Sequence, residues 1–287
     1  LREGGALFPH GAYSLLSSSE KEEYMTLIDE KAIVLRNDNV GPRLYIMELE
    51  SPQVAPLVLP GQFVHMKLNG FGEHILRRPF SILDTDPEAG RMTILYQVVG
   101  EGTQFMTSAA PGHEFDVIGS IGRGWDVPEA GRRVLIVGGG VGAAPLFMLC
   151  QELVGSGVHV DVVLGAQTAD ALVCLKRYEQ LLSRDVRVAT DDGTLGRKGF
   201  CTSLVQEALA AGVDGAPYQY VACCGPEPLM KIVAGQAAEA GVPCQISLEK
   251  RMACGVGACL SCVVDTVDGK KRSCVDGPVF DAEKVVW

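Results

Sequence analysis

Four cysteines near the C-terminal end constrain the fold of this chain more than any other feature. They form a C-x4-C-x2-C-x11-C pattern, made by Cys254, Cys259, Cys262 and Cys274. The first three follow plant-type [2Fe–2S] spacing, in which a tight loop wraps thiolates around one cluster and a more distant Cys completes it. Small loop residues such as Gly255 and Gly257 leave space for bridging sulfides and let backbone N–H groups turn toward sulfur. The pattern predicts a segment that folds around an iron–sulfur cluster.

A four-cysteine zinc site is the alternative interpretation of the same residues. Structural zinc is usually held by two C-x2-4-C pairs. Spacings of four and then two residues fit that arrangement less well. The spacing therefore favours the cluster, with zinc as the competing metal.

Length and charge narrow the class of protein. The chain has 287 residues, 47% of them hydrophobic, which is enough for two ordinary domains and a small appendage. Its formal charge of -10, without a long basic run, argues against nucleic acid or an anionic membrane surface as a partner. Six further cysteines are scattered among apolar residues: Cys150, Cys174, Cys201, Cys223, Cys224 and Cys244. Scattered thiols predict a reducing, cytoplasmic location rather than a disulfide framework.

One uncharged run, residues 134–151, is long enough to span a membrane. Three consecutive glycines at 138–140 interrupt it after a short β-branched stretch, which predicts the strand, turn and helix of a soluble domain instead. Residues 1–24 lack a cationic start followed by an apolar core, so we interpret them as an N-terminal extension and not a signal peptide.

Residues 25–127 alternate short β-rich runs with Gly and Pro turns, and only Thr103–Ser108 shows a helical period. Six strands are predicted, at 31–36, 42–48, 62–68, 78–83, 91–97 and 113–118. Short strands with turn signals indicate a small antiparallel β-barrel, closed so that no long edge is exposed.

Residues 128–244 change to apolar strands separated by helices. Strands are predicted at 134–137, 159–164, 186–189 and 220–223, and helices at 144–154, 172–182, 201–211 and 228–240. This alternation predicts a doubly wound parallel sheet with right-handed crossovers. The last segment, 245–287, carries the four grouped cysteines. The predicted fold class is therefore α/β plus β.

A glycine-rich turn follows the first strand of the predicted parallel sheet. It contains Gly138, Gly139, Gly140, Gly142 and Pro145. Glycines here permit a tight turn and let N–H groups approach a pyrophosphate at the positive end of the next helix. The dinucleotide fingerprint also expects an acid about 20 residues further on, where this chain has Gly165-Ala166-Gln167. The turn thus predicts a pyrophosphate site without an acidic contact to the ribose.

Two further anion-binding features lie in the predicted barrel. Arg78-Pro79-Phe80-Ser81 falls inside a strand, where Pro is poorly tolerated away from edges, although Arg78 alone is best explained as a solvated charge. Gly100-Glu101-Gly102-Thr103 opens the predicted barrel helix and makes a second anion site of the same type. Together the two features predict a phosphate-bearing cofactor.

These motifs, in this order, resemble the ferredoxin–NADP reductase superfamily. The resemblance includes the Cys224-Gly225-Pro226-Glu227-Pro228 run after the last strand. With the C-terminal cysteines, the chain is similar from about residue 25 to 287 to the electron-transfer subunits of two-subunit, NAD-linked (class 1B) dihydroorotate dehydrogenases. The resemblance implies three cofactors, which are FAD in the barrel, NAD on the parallel sheet and a [2Fe–2S] cluster.

The resemblance also implies a role for each motif residue. Arg78 would meet the flavin pyrophosphate. The flavin would be lined by Pro79, Phe80, Ser81, Leu95, Tyr96 and Gln97, with backbone and hydroxyl donors to its phosphates from Gly100, Gly102 and Thr103. The turn from Gly138 to Pro145 would cradle NAD. Cys224, Gly225 and Pro226 would border the place where nicotinamide meets flavin, with Cys224 as the candidate catalytic residue.

As a whole, the resemblance implies a relay subunit. In the resembling enzymes a separate catalytic subunit oxidises dihydroorotate at FMN, and electrons pass through the cluster and FAD to NAD+ in a heterotetramer of two subunits each. A flavin belongs in the middle because nicotinamide exchanges two electrons as hydride, whereas the cluster passes one at a time. One alternative is the flavin subunit of a bifurcating transhydrogenase or sulfhydrogenase. Another, of a different class, is a structural protein that binds zinc and flavin.

Overall fold

The computed structural model describes residues 27–72 and 74–287, so the predicted extension 1–24 lies outside the described residues. The first part forms a closed antiparallel barrel with strand order β1-β2-β5-β4-β3-β6. Its strands are β1 (Ile28–Gly41), β2 (Leu44–Glu50), β3 (Phe63–Lys67), β4 (Arg78–Asp86), β5 (Arg91–Gln97) and β6 (Glu114–Ile121). Pairing of β6 with β1 closes the barrel. The predicted six-stranded barrel is confirmed.

The barrel helix α1 (Glu101–Met106) begins two residues before its predicted start. Gly100 is its N-cap residue, and the Thr103 hydroxyl accepts a hydrogen bond from the Gly100 N–H at 3.2 Å. The cap satisfies backbone donors that the first turn of a helix leaves unpaired, so the helix can begin at this position.

The second part is a seven-stranded sheet. Its helices are α2 (Phe147–Gly155), α3 (Leu175–Leu182), α4 (Thr202–Ala211) and α5 (Glu227–Glu239). The remaining strands of the chain are β7 (Arg133–Gly139), β8 (His159–Ala166), β9 (Arg187–Thr190), β10 (Arg197–Lys198), β11 (Tyr220–Cys224), β12 (Cys244–Ser247), β13 (Val263–Thr266), β14 (Gly269–Arg272) and β15 (Val279–Asp281). The sheet order is β10-β9-β8-β7-β11-β12-β15, parallel except for β15. The predicted doubly wound fold is confirmed, with the strand order changing direction between β7 and β11.

The C-terminal segment, predicted as residues 245–287, shares strands with the nucleotide sheet. Strand β12 pairs with β11 over Cys244–Ser247, so the predicted boundary after residue 244 falls inside a strand of the parallel sheet. Strand β15 returns to pair with β12, while β13 and β14 form a separate hairpin. The segment that carries the cysteines is therefore tied to the nucleotide sheet at both ends.

A buried amide joins the barrel to the sheet. Gln245, 4% exposed, donates to Asp126 Oδ2 at 2.8 Å and to Asp281 Oδ1 at 2.9 Å, and it accepts from the Tyr220 hydroxyl at 2.6 Å. Nearby, Trp125 Nε1 donates to the carbonyl of Pro145 at 3.2 Å. A satisfied buried network of this kind fixes the orientation of the elements that it connects.

The uncharged run at 134–151 forms the core of the sheet and not a membrane span. It supplies most of β7, the glycine turn and the start of α2. Within residues 27–72 and 74–287, no helix combines the length and the apolar character needed to cross a membrane.

Candidate functional site

The four predicted cluster ligands lie together against the outer face of the barrel, in two pairs. Cys262 Sγ and Cys274 Sγ are 3.3 Å apart, and both side chains are buried. Cys259 lies beside Cys254, on the exposed side. Backbone N–H groups of Ser261 and Cys254, followed by the Cys254 side chain, lower the pKa of Cys259 to about 6, which favours the thiolate that binds metal. Burial, with Cys262 as neighbour, raises the pKa of Cys274 to about 12.

The paired arrangement bears on the choice of metal. A tetrahedral zinc ion needs four donors around one point, whereas a [2Fe–2S] cluster takes two cysteines on each of two irons. Cys254 with Cys259 and Cys262 with Cys274 form two such pairs, an arrangement that fits a cluster of two bridged irons.

The cluster loop depends on two glycines in the left-handed region. Gly255 has φ +70°, and a Cβ there would lie 2.5 Å from His65 Nδ1. Gly257 has φ +83°, and its carbonyl accepts from Arg272 Nη1 at 3.2 Å. An L side chain at either position would be strained by its backbone as well as crowded. Arg272 therefore braces the loop through its hydrogen bond to Gly257.

The outer face of the barrel covers the buried side of this loop. Phe63 and Ile121 form one apolar cluster with Cys262 and Cys274. His65, two residues along β3 from Phe63, is fully buried against the loop. Apolar side chains around a metal centre exclude water and so influence its potential.

The flavin wall, which we define as Pro79 and Ser81 of β4, lies on the strand next to β3. It faces the same side of the sheet as Phe63 and His65. Pro79 of β4 pairs directly with His65, and Ser81 pairs with Phe63. Directly paired residues share one face of a sheet, with Cβ atoms about 5 Å apart. Since His65 and Phe63 contact the cluster loop, Pro79 and Ser81 stand immediately beside it.

Arg78 lies over the start of α1, as a site for a bridging pyrophosphate requires. A Cβ on Gly102 would lie 3.0 Å from Arg78 Nε, so glycine at this position leaves room for the guanidinium beside the helix start. The guanidinium also sits 5.6 Å from the centre of the Phe71 ring and donates to the Leu76 carbonyl. This positive group and the free N–H groups of the first helical turn fit an anionic ligand.

Three predicted flavin contacts need correction. Phe80, 8% exposed, and Tyr96, 2% exposed, point into the barrel core, where their rings meet edge to face at 6.2 Å. Successive side chains of a strand point to opposite faces, so Pro79 and Ser81 lie on the outer face of the barrel. Phe80 and Tyr96 pack on the inner side of the same sheet. The Thr103 hydroxyl is occupied in the helix cap, where it donates to the Gly100 carbonyl at 3.0 Å. Only its backbone N–H is left for the predicted contact with a phosphate.

The other residues of strand β5 occupy different surroundings. Leu95, 6% exposed, belongs to the same apolar core as Cys224 of the parallel sheet. Gln97 is exposed at the end of the strand. Trp287, the last aromatic residue of the chain, packs against the core of the nucleotide sheet. Leu95 therefore brings the barrel wall up to the nucleotide domain.

The two loops of the nucleotide crevice touch through glycine backbones. A Cβ on Gly142 would lie 2.5 Å from the Cys224 carbonyl oxygen, and one on Gly225 would lie 3.0 Å from Gly139 Cα. Gly138 pairs with Cys224 across the strands. The turn itself is a short 3-10 helix, Gly140–Ala143, and α2 begins at Phe147, three residues later than predicted. Ligands of open α/β sheets bind in this kind of crevice, at the carboxyl ends of strands where the order reverses.

Cys224 is enclosed in this crevice with a carboxylate that the sequence did not single out. Burial, and then the charge of Glu249, raise the pKa of Cys224 to about 12, so the thiol stays protonated. It donates weakly to the Ser247 carbonyl, with sulfur and oxygen 3.7 Å apart. Glu249 is exposed along part of its length, yet its carboxyl group is desolvated by the surrounding protein, which raises its pKa. Glu249 lies two residues beyond the end of β12, and this position at a strand end is the sequence signal that could have identified it.

Acidic residues follow β9, where an adenosine ribose would lie. Asp191 and Asp192 donate their backbone N–H groups to Ala166 and Gln167, so the two strand ends are held together. Hydrogen bonds from Thr194 lower the pKa of Asp192, which keeps its carboxylate ionised. Asp192 is therefore a negatively charged group at this edge, with Lys198 of β10 on the neighbouring strand.

Comparisons with known proteins agree with this architecture. Residues 249–286 match the family model described as the iron–sulfur cluster binding domain of dihydroorotate dehydrogenase B, and residues 136–235 match an oxidoreductase NAD-binding domain. The relative from Desulforamulus reducens named dihydroorotate dehydrogenase B (NAD(+)), electron transfer subunit, is 40% identical over 86% of this chain and 94% of its own. A relative of the same name from Geobacillus sp. is 36% identical over 90% of this chain and 98% of its own.

Solved structures share the fold. The structure of an NADH-dependent reduced ferredoxin–NADP oxidoreductase, described in connection with flavin-based electron bifurcation, superposes with a TM-score of 0.80. It is 32% identical and covers 89% of this chain and 90% of its own. The ferredoxin reductase of carbazole 1,9a-dioxygenase, 20% identical, superposes with a TM-score of 0.63 over 76% of this chain and 68% of its own, which shows the fold alone.

Proposed function

Because the chain belongs to the family of dihydroorotate dehydrogenase B electron transfer subunits, we propose that it carries electrons from dihydroorotate, oxidised on a partner subunit, to NAD+. Its cofactors are a [2Fe–2S] cluster, FAD and NAD. When bound, the flavin links one-electron transfer at the cluster with hydride transfer at nicotinamide. The protein's task is to hold the three groups in order.

The order cluster, flavin, nicotinamide is supported above all by the arrangement of strands β3, β4 and β5. The outer barrel face bearing Pro79 and Ser81 adjoins the cluster loop through His65 and Phe63. On the neighbouring strand β5, Leu95 packs into the core of the nucleotide domain. A flavin against this face would therefore lie between the cluster and the nucleotide crevice.

Each site has residues suited to its cofactor. We assign Cys254, Cys259, Cys262 and Cys274 to the cluster and Arg78, with the backbone of Gly100, Gly102 and Thr103, to the FAD phosphates. The glycine turn 138–142, Gly225 and Pro226 would hold NAD. Cys224 and Glu249 would border the meeting point of nicotinamide and flavin, where the Cys224 thiol, kept protonated by burial, would be a poor nucleophile toward the reacting rings.

The catalytic partner would approach over the cluster loop. Its exposed surface presents Val256, 44% exposed, and Leu260, 62% exposed, on either side of the exposed Cys259. Apolar side chains around a redox centre suit a protein interface more than open water. We propose that this partner contains FMN, that the complex is a heterotetramer of two subunits each, and that it works in the cytoplasm, where the scattered thiols stay reduced.

Reconstitution tests the proposal. The purified chain mixed with an FMN-containing dihydroorotate dehydrogenase subunit should reduce NAD+ when dihydroorotate is added, and the Cys259→Ser variant should not. The chain alone should be inactive with dihydroorotate. Oxidation of dihydroorotate by the chain alone, or a stable complex only with a hydrogenase or transhydrogenase subunit, would overturn the assignment.

A further inference from the structure

The turn between β1 and β2 holds an arginine in a backbone conformation that usually belongs to glycine. Gly41 and Leu44 are paired residues, so the turn consists of Pro42 and Arg43. Proline fixes a negative φ at Pro42, whereas Arg43 has φ +58°. This is the pattern of a type II turn, whose third position is normally occupied by Gly or Asn. An arginine there is strained by its own backbone, so its presence needs a reason outside the turn.

The turn lies against the nucleotide domain. A Cβ on Gly41 would lie 2.6 Å from the carbonyl oxygen of Asp170, in the segment after β8. Leu44, the residue that follows Arg43, lines the crevice together with Gly138 of the glycine turn. The barrel hairpin therefore brings Arg43 to the mouth of the crevice, next to the proposed NAD site.

The crevice loops themselves carry no positive side chain. The loops that follow β7, β8 and β11, residues 140–146, 167–174 and 225–226, contain neither Lys nor Arg. Their N–H groups suit a phosphate, but NAD brings an anionic diphosphate to a chain whose formal charge is -10. Arg43 is exposed, and its side chain forms no hydrogen bond or ion pair with the residues that the structure describes. A guanidinium matches two phosphate oxygens in a bidentate contact, so this arginine can supply the missing charge.

We propose that Arg43 is a binding residue for NAD, whose guanidinium donates to the diphosphate from the barrel side while the glycine turn donates from the sheet side. This rests on the proposed function, which supplies NAD. A contact with the diphosphate is remote from the transferred hydride, so it stabilises the bound cofactor and the transition state equally. The strained backbone at Arg43 is then the cost of holding the charge at this position.

Two substitutions remove the charge without adding strain, and two others serve as controls. Glycine and asparagine both suit a left-handed residue, so the test variants are Arg43→Gly and Arg43→Asn. Ser183→Gly is the matched control for the backbone, because Ser183 has φ +53° at the C-terminal end of α3. Arg91→Asn is the matched control for the charge. Arg91 lies six residues along β5 from Gln97, the partner of Leu44, or about 20 Å at the usual rise of a strand.

The first readout is the dissociation constant for ADP-ribose, measured by calorimetry on the purified chain. ADP-ribose carries the diphosphate of NAD without the nicotinamide, so its binding is separate from hydride transfer. Both Arg43 variants should bind it about tenfold more weakly, as expected for the loss of one exposed charge-assisted contact, while Ser183→Gly and Arg91→Asn should match the wild type. With an artificial electron acceptor, KM for NADH should rise by the same factor at unchanged kcat. Wild-type affinity for ADP-ribose in both Arg43 variants would overturn the proposal.

Thermal unfolding separates the contact from damage to the fold. Arg43→Gly should unfold at or above the wild-type temperature, as should Ser183→Gly, because glycine relieves a left-handed backbone. Weaker binding without lower stability then reflects the missing guanidinium. Clearly earlier unfolding of both Arg43→Gly and Arg43→Asn would overturn the proposal, since the arginine would then stabilise the turn itself. A wild-type chain that binds neither ADP-ribose nor NADH would instead refute the proposed function, so the two failures are distinguishable.

Discussion

Replacing Gly142 with Ala tests whether backbone contact between the two crevice loops positions NAD. The added Cβ would lie 2.5 Å from the Cys224 carbonyl oxygen and 2.6 Å from the Gly225 nitrogen. Ordinary van der Waals contact begins near 3.4 Å, so the loops after β7 and β11 must separate by about 0.9 Å. Neither contact is with a flexible side chain, and overpacking of this kind typically costs about 1 to 3 kcal/mol.

The same displacement should impair hydride transfer more than it impairs folding. Misplacing reacting groups by about 1 Å can lower a rate by about 10²-fold. We therefore expect kcat/KM for NADH, measured with an artificial electron acceptor that bypasses the partner, to fall by about that factor. FAD and iron content should stay at wild-type levels, because neither Arg78 nor the cysteine loop lies near Gly142.

Gly235→Ala is the matched control. Gly235 lies inside α5, and a Cβ there meets nothing within 4 Å. Alanine in a helix interior is favoured over glycine by about 1 kcal/mol, so this variant should unfold at a slightly higher temperature with normal NADH kinetics. If Gly142→Ala and Gly235→Ala behaved alike in both assays, the contact between the loops would have no role in positioning NAD.

Three other outcomes are expected. Losing the Arg78 guanidinium should weaken FAD binding by about 2 kcal/mol, or about thirtyfold, so Arg78→Ala should purify largely without FAD. The control Arg91→Ala, on the other side of the barrel, should keep its FAD. Equal flavin content in the two variants would contradict the pyrophosphate contact. Cys259→Ser should lose the visible bands beyond those of flavin and the iron and sulfide, about two of each per wild-type chain; stoichiometric zinc in the wild type would refute the cluster. NADH should be preferred over NADPH, because Asp191 and Asp192 repel a 2′-phosphate, and equal specificity constants for the two would disprove this.

The parts of the fold that follow from local pattern could be predicted from the sequence. Strand β5 occupies residues 91–97, as its β-rich run predicts, and the four helices of the nucleotide domain lie within a few residues of their predicted positions. The cysteine spacing likewise places three thiols in one loop, and the short β13–β14 hairpin brings Cys274 back to Cys262. Backbone chemistry within a few residues determines each of these features.

Strand faces and long-range contacts could not be predicted in the same way. Phe80 and Tyr96 lie within motifs of the flavin site, but the register of the barrel turns both side chains into its core. His65 is separated by almost two hundred residues from the loop on which it packs, and a lone histidine in a β-rich run is indistinguishable from a structural one. The predicted boundary after residue 244 falls inside β12. Local sequence pattern does not reveal that β12 pairs with β11, because the pairing joins strands that are separated by a helix.

The direct pairing of β3 with β4 explains why a barrel and a cysteine loop from opposite ends of the chain can form one electron path. Paired residues on one face are about 5 Å apart, so placing the cluster loop on His65 and Phe63 sets its distance from Pro79 and Ser81 without any dedicated linker. The tie of β12 and β15 to the sheet holds the loop's two ends, and Gln245 joins that sheet to the barrel through Asp126. The distance between the proposed cluster and flavin sites would thus be set by sheet hydrogen bonds, which are among the least variable spacings in a protein. Changes that loosen this sheet should slow electron transfer even where every cofactor remains bound.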